Sequence, residues 1–175
     1  MSQGAGEEPQ QPPSLPRGVR LGVDVGDVRV GLARSDLDGM IATPVETLAR
    51  DTAVARVLAE AEELDAHVIM VGLPRSLNGT EGVAAQKART FAVELAAGSP
   101  DIEVRLIDER LTTVSAHKAL HSSGRKSRKH RQVVDQVAAV MILQQALDIE
   151  RSTAARTGEW VQPTVTPPST EEDTR

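Results

Sequence analysis

The stretch LGVDVGDVRVGLARSD, Leu21 to Asp36, decides the fold. Residues 19–25 (VRLGVDV) and 29–35 (RVGLARS) are rich in Val and Leu and read as two strands. Between them Gly26-Asp27-Val28 reads as a tight turn in which Gly26 can take a positive φ. Asp24 lies inside the first strand, one residue before the last position ahead of the turn. A carboxylate in a buried strand is costly unless it is paired or ligating. Asp24 is therefore a candidate functional group as well as a structural oddity.

Working outward, Leu37-Asp38-Gly39 makes a second turn, and residues 40–48 (MIATPVETL) make a third strand. Pro44 suits an edge or bent position there. The period then changes. Val54, Val57, Leu58 and Ala61 fall at helical spacing and predict a helix over 51–64. The apolar run 67–74 (HVIMVGLP) reads as a fully buried strand. Val83, Ala84, Lys87, Ala88, Phe91, Ala92 and Leu95 trace a helix over 81–97, and residues 102–108 (IEVRLID) a fifth strand. Thr112 or Thr113 can cap a short helix ending near Leu120. Residues 122–131 form a basic polar loop, and Val133, Val137, Ala138, Met141 and Leu147 mark a last helix over 131–150. Three strands in an antiparallel meander, followed by alternating helices and strands, predict an α/β fold. Its five-stranded mixed sheet would carry helices on both faces.

The ends differ from the middle. Seven of the ten prolines lie in residues 1–17 and 151–175, with Gln, Ser, Thr and acidic residues. Both segments read as disordered tails around one folded unit, 18–150. The absence of cysteine excludes disulfides and thiolate chemistry. No apolar run is long enough to span a membrane and no signal-peptide pattern opens the chain, so a cytoplasmic protein is expected. The net charge is −5, but it is unevenly spread. Residues 18–109 hold 16 acidic and 9 basic side chains, whereas residues 110–150 hold 3 and 7. One region is basic; the other places carboxylates among apolar strands.

Three acidic positions stand out: Asp24, the Asp108-Glu109 pair ending the fifth strand, and Asp135 near the start of the last helix. Strand ends in an open α/β sheet converge on one crevice. Carboxylates gathered there repel one another unless a cation intervenes, and hard oxygen ligands suit Mg²⁺. Plainer roles compete. Asp24 could pair with Arg29 or Arg110, and Asp135 could favour a helix N-terminus through the dipole. Asp108 could cap the Thr112 and Thr113 amides, leaving Glu109 for chemistry. His67, His117, His121 and His130 show no metal-ligand pattern, and Ser76 lacks the setting of a nucleophile.

Four segments carry a resemblance: GVDVGDVRVGLARSD (22–36), VGLPRSLNGTEG (71–82), DERLTTVSA (108–116) and VDQVAAVMILQQALD (134–148). Together they resemble the YqgF family, also called RuvX, which is similar in fold to ribonuclease H and RuvC-type resolvases. The resemblance covers about residues 18–150. It implies a nuclease using Mg²⁺ or Mn²⁺, with Asp24, Glu109 and Asp135 as metal ligands and catalytic acids. Its implied role is processing of the 5′ end of pre-16S ribosomal RNA, within ribosomal precursor particles. A resolvase for four-way DNA junctions, or a non-catalytic RNA-binding assembly factor, are the alternatives. The partner is then structured RNA or branched DNA, and the protein a monomer or homodimer. Arg29, Asn78, Thr80, Arg110, Lys118, Arg125, Lys126, Arg128, Lys129 and Arg131 are the expected substrate contacts. Phe91 and Trp160 are the only aromatic residues, so recognition should rest on backbone and shape rather than on base stacking. The family's first turn usually reads G-T-K-R-x-G, whereas Asp27 and Val28 stand here in place of Thr and Lys.

Overall fold

The computed structural model describes residues 14–111 and 128–163, with the backbone alone at 111 and 128–132. The expected helix from Thr112 or Thr113 to Leu120, and the loop positions 122–127, lie outside the described residues.

The meander is present. β1 (Arg20–Val25), β2 (Arg29–Ser35) and β3 (Ala42–Ala49) follow one another, then α1 (Ala53–Glu63), β4 (Val68–Leu73), α2 (Val83–Gly98) and β5 (Glu103–Asp108). A short 3₁₀ turn covers Glu109–Leu111, and α3 (Arg128–Thr153) and β6 (Glu159–Val161) close the chain. The sheet order is β3-β2-β1-β4-β5-β6. β1 is antiparallel to β2 and parallel to β4, β5 is parallel to β4, and β6 is antiparallel to β5.

The sheet therefore has six strands rather than five. β6 comes from the segment read as a tail. Three residues are too few to show alternation, and long-range contacts hold them: Arg105 donates to the Gly158 carbonyl, and Arg89 bonds both Glu159 carboxylate oxygens. α3 also starts earlier than expected and takes in positions 128–131 assigned to the loop.

β4 is apolar and buried on both faces, as a parallel strand under helices must be, whereas its neighbour β1 carries Arg20 and Asp24 on one of its buried faces. Leu21, Val23, Ile69, Val71, Val104 and Leu106 face α1 and α2 around Phe91. Ala33, Val68, Met70 and Ile107 face α3, packing on Ala138, Ala139, Ile142, Leu143 and Leu147. Pro44 lies in β3 at the sheet edge, where its missing N–H is harmless. Val83, Ala84 and Val133, expected on buried stripes, are exposed; α2 buries Ala85 in place of Ala84, with Ala88, Phe91, Ala92 and Leu95 buried as expected.

Glycines set the distance between α3 and the sheet. A Cβ at Gly31 would sit 2.1 Å from the Asp135 carbonyl oxygen, and one at Gly22 would sit 2.6 Å from the Leu143 Cβ. These strand glycines let the helix lie directly on the backbone. Gly26 does not use the left-handed conformation expected of it; a Cβ there would meet the Arg29 carbonyl at 2.7 Å.

Candidate active site

Side chains alternate along a strand, so Arg20, Gly22 and Asp24 share the α3 face. Gly22 confirms this by its approach to Leu143 and Ala139. Asp24 is buried at 3 % exposure and Glu109 at 1 %. Val23 is in register with Val71, so the next step along the parallel pair sets Asp24 beside Gly72. The Glu109 Oε1 lies over Gly72, 2.5 Å from where its Cβ would be. Asp24 on β1 and Glu109, in the turn after β5, thus lie on one face on either side of β4, with the Glu109 carboxylate reaching over Gly72 of β4. Gly72 makes the room for the second.

Asp135 approaches from the other side. Asp24 pairs with Gly31 across the hairpin, and the Asp135 carbonyl packs on Gly31. Its carboxylate turns to Arg29, accepting from Nε at 3.0 Å. Among the described residues no three His, Cys, Asp or Glu side chains are grouped closely enough to hold a metal ion. The structure brings Asp24 and Glu109 together and engages Asp135 with Arg29. The donor chemistry of the buried pair fits a hard divalent cation, which takes one or two carboxylates and leaves positions for phosphate oxygens and water.

Asp108, the residue before Glu109, is engaged by two arginines. It accepts from the Arg110 N–H at 2.9 Å, from the Arg110 guanidinium at 2.6 Å and from Arg75 at 3.4 Å. The Arg110 hydrogen bond holds the Asp108 carboxyl below its ordinary range, against a smaller opposing effect of burial. Arg110 is accordingly tied to Asp108 rather than extended into solvent. Arg75 continues the chain to Glu81, which also binds Arg89. This network fixes the loop between β4 and α2 beside the carboxylates. Asn78 shapes that loop: its side-chain oxygen accepts from Ser76 Oγ and from the Thr80 N–H. The Thr80 carbonyl accepts from Ser76, and Gly79 turns the chain at φ +85°.

On the turn after Asp24, Asp27 forms an ion pair with Lys87 of α2, and Val28 is exposed. Lys87 holds the Asp27 carboxyl low, chiefly through its hydrogen bond. Lys118, Arg125 and Lys126 lie outside the described residues; Arg128, Lys129 and Arg131 sit on the first turns of α3. Sequence reasoning missed the roles of Gly31, Gly72 and Arg75. The strand glycines were visible as a signal of close approach; the Arg75 network, made across distant segments, had none.

A cavity of about 950 Å³ lies away from the carboxylates, between the helix α1 and the start of β5. Its lining includes Glu62, Asp65, Asp101 and Glu103, which is unfavourable to phosphate. No helix among the described residues is long and apolar enough to cross a membrane.

A Nocardioides protein named "Putative pre-16S rRNA nuclease" is 56% identical over 153 residues, covering 84% of this chain and 98% of its own length. A Streptomyces coelicolor protein of the same name is 52% identical, covering 86% of this chain and 92% of its own. The solved structure of Thermus thermophilus RuvC in complex with a Holliday junction substrate is similar in fold. Its TM-score is 0.50 at 16% identity, over 80% of this chain and 99% of that one. Residues 18–149 match the profile of the RuvX family, described as Holliday junction resolvase, and the chain belongs to that family.

Proposed function

We propose that this chain is a divalent-cation-dependent nuclease of the cytoplasm that trims the 5′ end of pre-16S ribosomal RNA. The observation that carries the reading is the pair of buried carboxylates, Asp24 near the end of β1 and Glu109 just after β5, on one face of the sheet beside Gly72 of the intervening β4. The name shared by relatives at 52–56% identity supplies the substrate class.

Asp24 and Glu109 would hold the ion, Mg²⁺ or Mn²⁺, which when bound would supply activation of water and neutralisation of charge at the scissile phosphate. Arg29 exchanges Asp135 for a phosphate oxygen, and the freed Asp135 carboxylate becomes the third acid of the site. Stiff strands position the acids before substrate arrives, so little reorganisation is needed. Basic residues 125–131 and Lys118 attract the phosphate backbone, which makes affinity fall with salt. Arg110, Asn78 and Thr80 set the wall of the site through the loop they hold.

A junction resolvase is the second reading, favoured by the family description. The purified chain is incubated with Mg²⁺ or Mn²⁺ and two labelled substrates, a precursor-rRNA 5′ fragment and a four-way DNA junction. Asp24→Ala runs in parallel. Cleavage of the RNA alone, reduced by about 100-fold or more in the variant, is expected. Symmetric cutting of the junction would select the resolvase reading. Binding without cleavage, unchanged in Asp24→Ala, would overturn both in favour of an assembly factor.

A further inference from the structure

We infer that Arg50 contacts the phosphate backbone of the nucleic acid on the sheet face opposite the carboxylates. This rests on the nuclease reading above.

Arg50 follows β3 directly, and its N–H donates to the Val28 carbonyl at 2.9 Å, tying it to the β1–β2 turn. Arg29 is in register with Ala49, so Arg29 and Arg50 leave the same end of the β2–β3 pair. Their guanidinium groups go to opposite faces. Arg29 reaches Asp135 of α3, while the Arg50 guanidinium carbon lies 4.9 Å from the centre of the Phe91 ring of α2. The two cations straddle the sheet end beside the turn that follows Asp24. A backbone crossing that turn from the carboxylates meets both.

Ion pairing separates Arg50 from its neighbours. Among the arginines whose side chains are described, all but Arg34 and Arg50 have a carboxylate partner. Asp27, the carboxylate on the adjoining turn, is engaged by Lys87, one helical turn before Phe91. Arg34 is exposed near the far end of β2, paired with Leu21 at the start of β1. Arg50 is half-buried and held over a fully buried ring. A guanidinium stacked on a ring keeps its N–H edge available for in-plane donation to an oxyanion. Its charge is uncompensated and its position is fixed, which is what a phosphate contact requires.

The test uses the full chain with a fluorescein-labelled precursor-rRNA stem, in EDTA to prevent cleavage. Fluorescence anisotropy gives Kd as a function of KCl. Each phosphate contact contributes about 0.7–0.9 to the slope of log Kd against log salt. Arg50→Gln is expected to lower the slope by about that amount, Arg50→Lys to restore most of it, and Arg34→Gln to leave it unchanged. If Arg50→Gln is unstable by circular dichroism, Arg50→Met keeps the apolar cover over Phe91 and is read in its place. A folded variant at position 50 with the wild-type slope overturns the inference, as does an equal loss from Arg34→Gln. Wild-type protein that does not bind the stem defeats the RNA-nuclease reading itself; steep wild-type binding untouched at Arg50 defeats this inference alone.

Discussion

Replacing Gly31 by alanine tests how the last helix is held over the site. The added Cβ would lie 2.1 Å from the Asp135 carbonyl oxygen and 2.6 Å from its carbonyl carbon. Real contacts at a Cβ essentially never fall under 3.0 Å, and the obstacle is helix backbone rather than the end of a flexible side chain. The helix must therefore move by about 1 Å, an overpacking that costs about 1–3 kcal/mol. For a chain of this size the Tm should fall by roughly 2–12 °C. The displaced residue is Asp135, so cleavage by the still-folded variant should also fall by about 100-fold, as a 1 Å misplacement of a catalytic group produces. Gly82→Ala is the control, because nothing lies within 4 Å of a Cβ there. Differential scanning fluorimetry and single-turnover cleavage give the two readouts. A Gly31→Ala protein that melts with wild type and cuts at the wild-type rate would refute the close packing of α3 on β2.

Two other consequences follow from groups away from the carboxylate pair. Arg20 and Glu150 are buried partners, 4 % and 3 % exposed, and Glu150 also accepts twice from Arg156. Glu150→Ala leaves buried guanidinium charge uncompensated and should cost about 3–5 kcal/mol in urea unfolding; a loss below about 1 kcal/mol would contradict the buried pairing. The Asp108 carboxyl, held low by Arg110, should titrate by NMR below the ordinary range and return toward it in Arg110→Ala. Because its folded pKa is depressed, the stability it contributes is present above the unfolded value of about 3.9 and is lost as pH falls through the folded value. The difference in Tm between wild type and Arg110→Ala should accordingly shrink on acidification and vanish once both carboxyls are protonated.

The meander was legible because short turns separate strands of consistent composition. The segment 67–74 was legible because a compact apolar run ended by Gly-Leu-Pro has few other uses. Asp24 announced itself as a carboxylate in such a strand, and Glu109 by its place at the end of β5. Other features depended on contacts that no local pattern encodes. β6 is three residues held by Arg89 and Arg105 from distant elements. Helical spacing identified α2 and α3 but left their rotation open by a residue at the ends, which is why Val83 and Val133 emerged exposed. At Gly26 the constraint is the approach of the Arg29 carbonyl, a contact across the turn that backbone freedom alone does not signal. The engagement of Asp108 by Arg75 and Arg110 comes from a loop contact and a neighbouring turn, which the sequence pattern does not encode. The pairing of Arg29 with Asp135 spans more than one hundred residues and was likewise out of reach.

The central claim is that Asp24 and Glu109 form a divalent-cation site. Electron paramagnetic resonance of Mn²⁺ titrated into the full chain tests it directly, without substrate. Wild type should bind Mn²⁺, Asp24→Asn and Glu109→Gln should each lose most of that binding, and Asp135→Asn should lose less, because in the free protein Asp135 is engaged by Arg29. Mn²⁺ binding that is absent from wild type, or equal in all four proteins while each remains folded, would contradict the account.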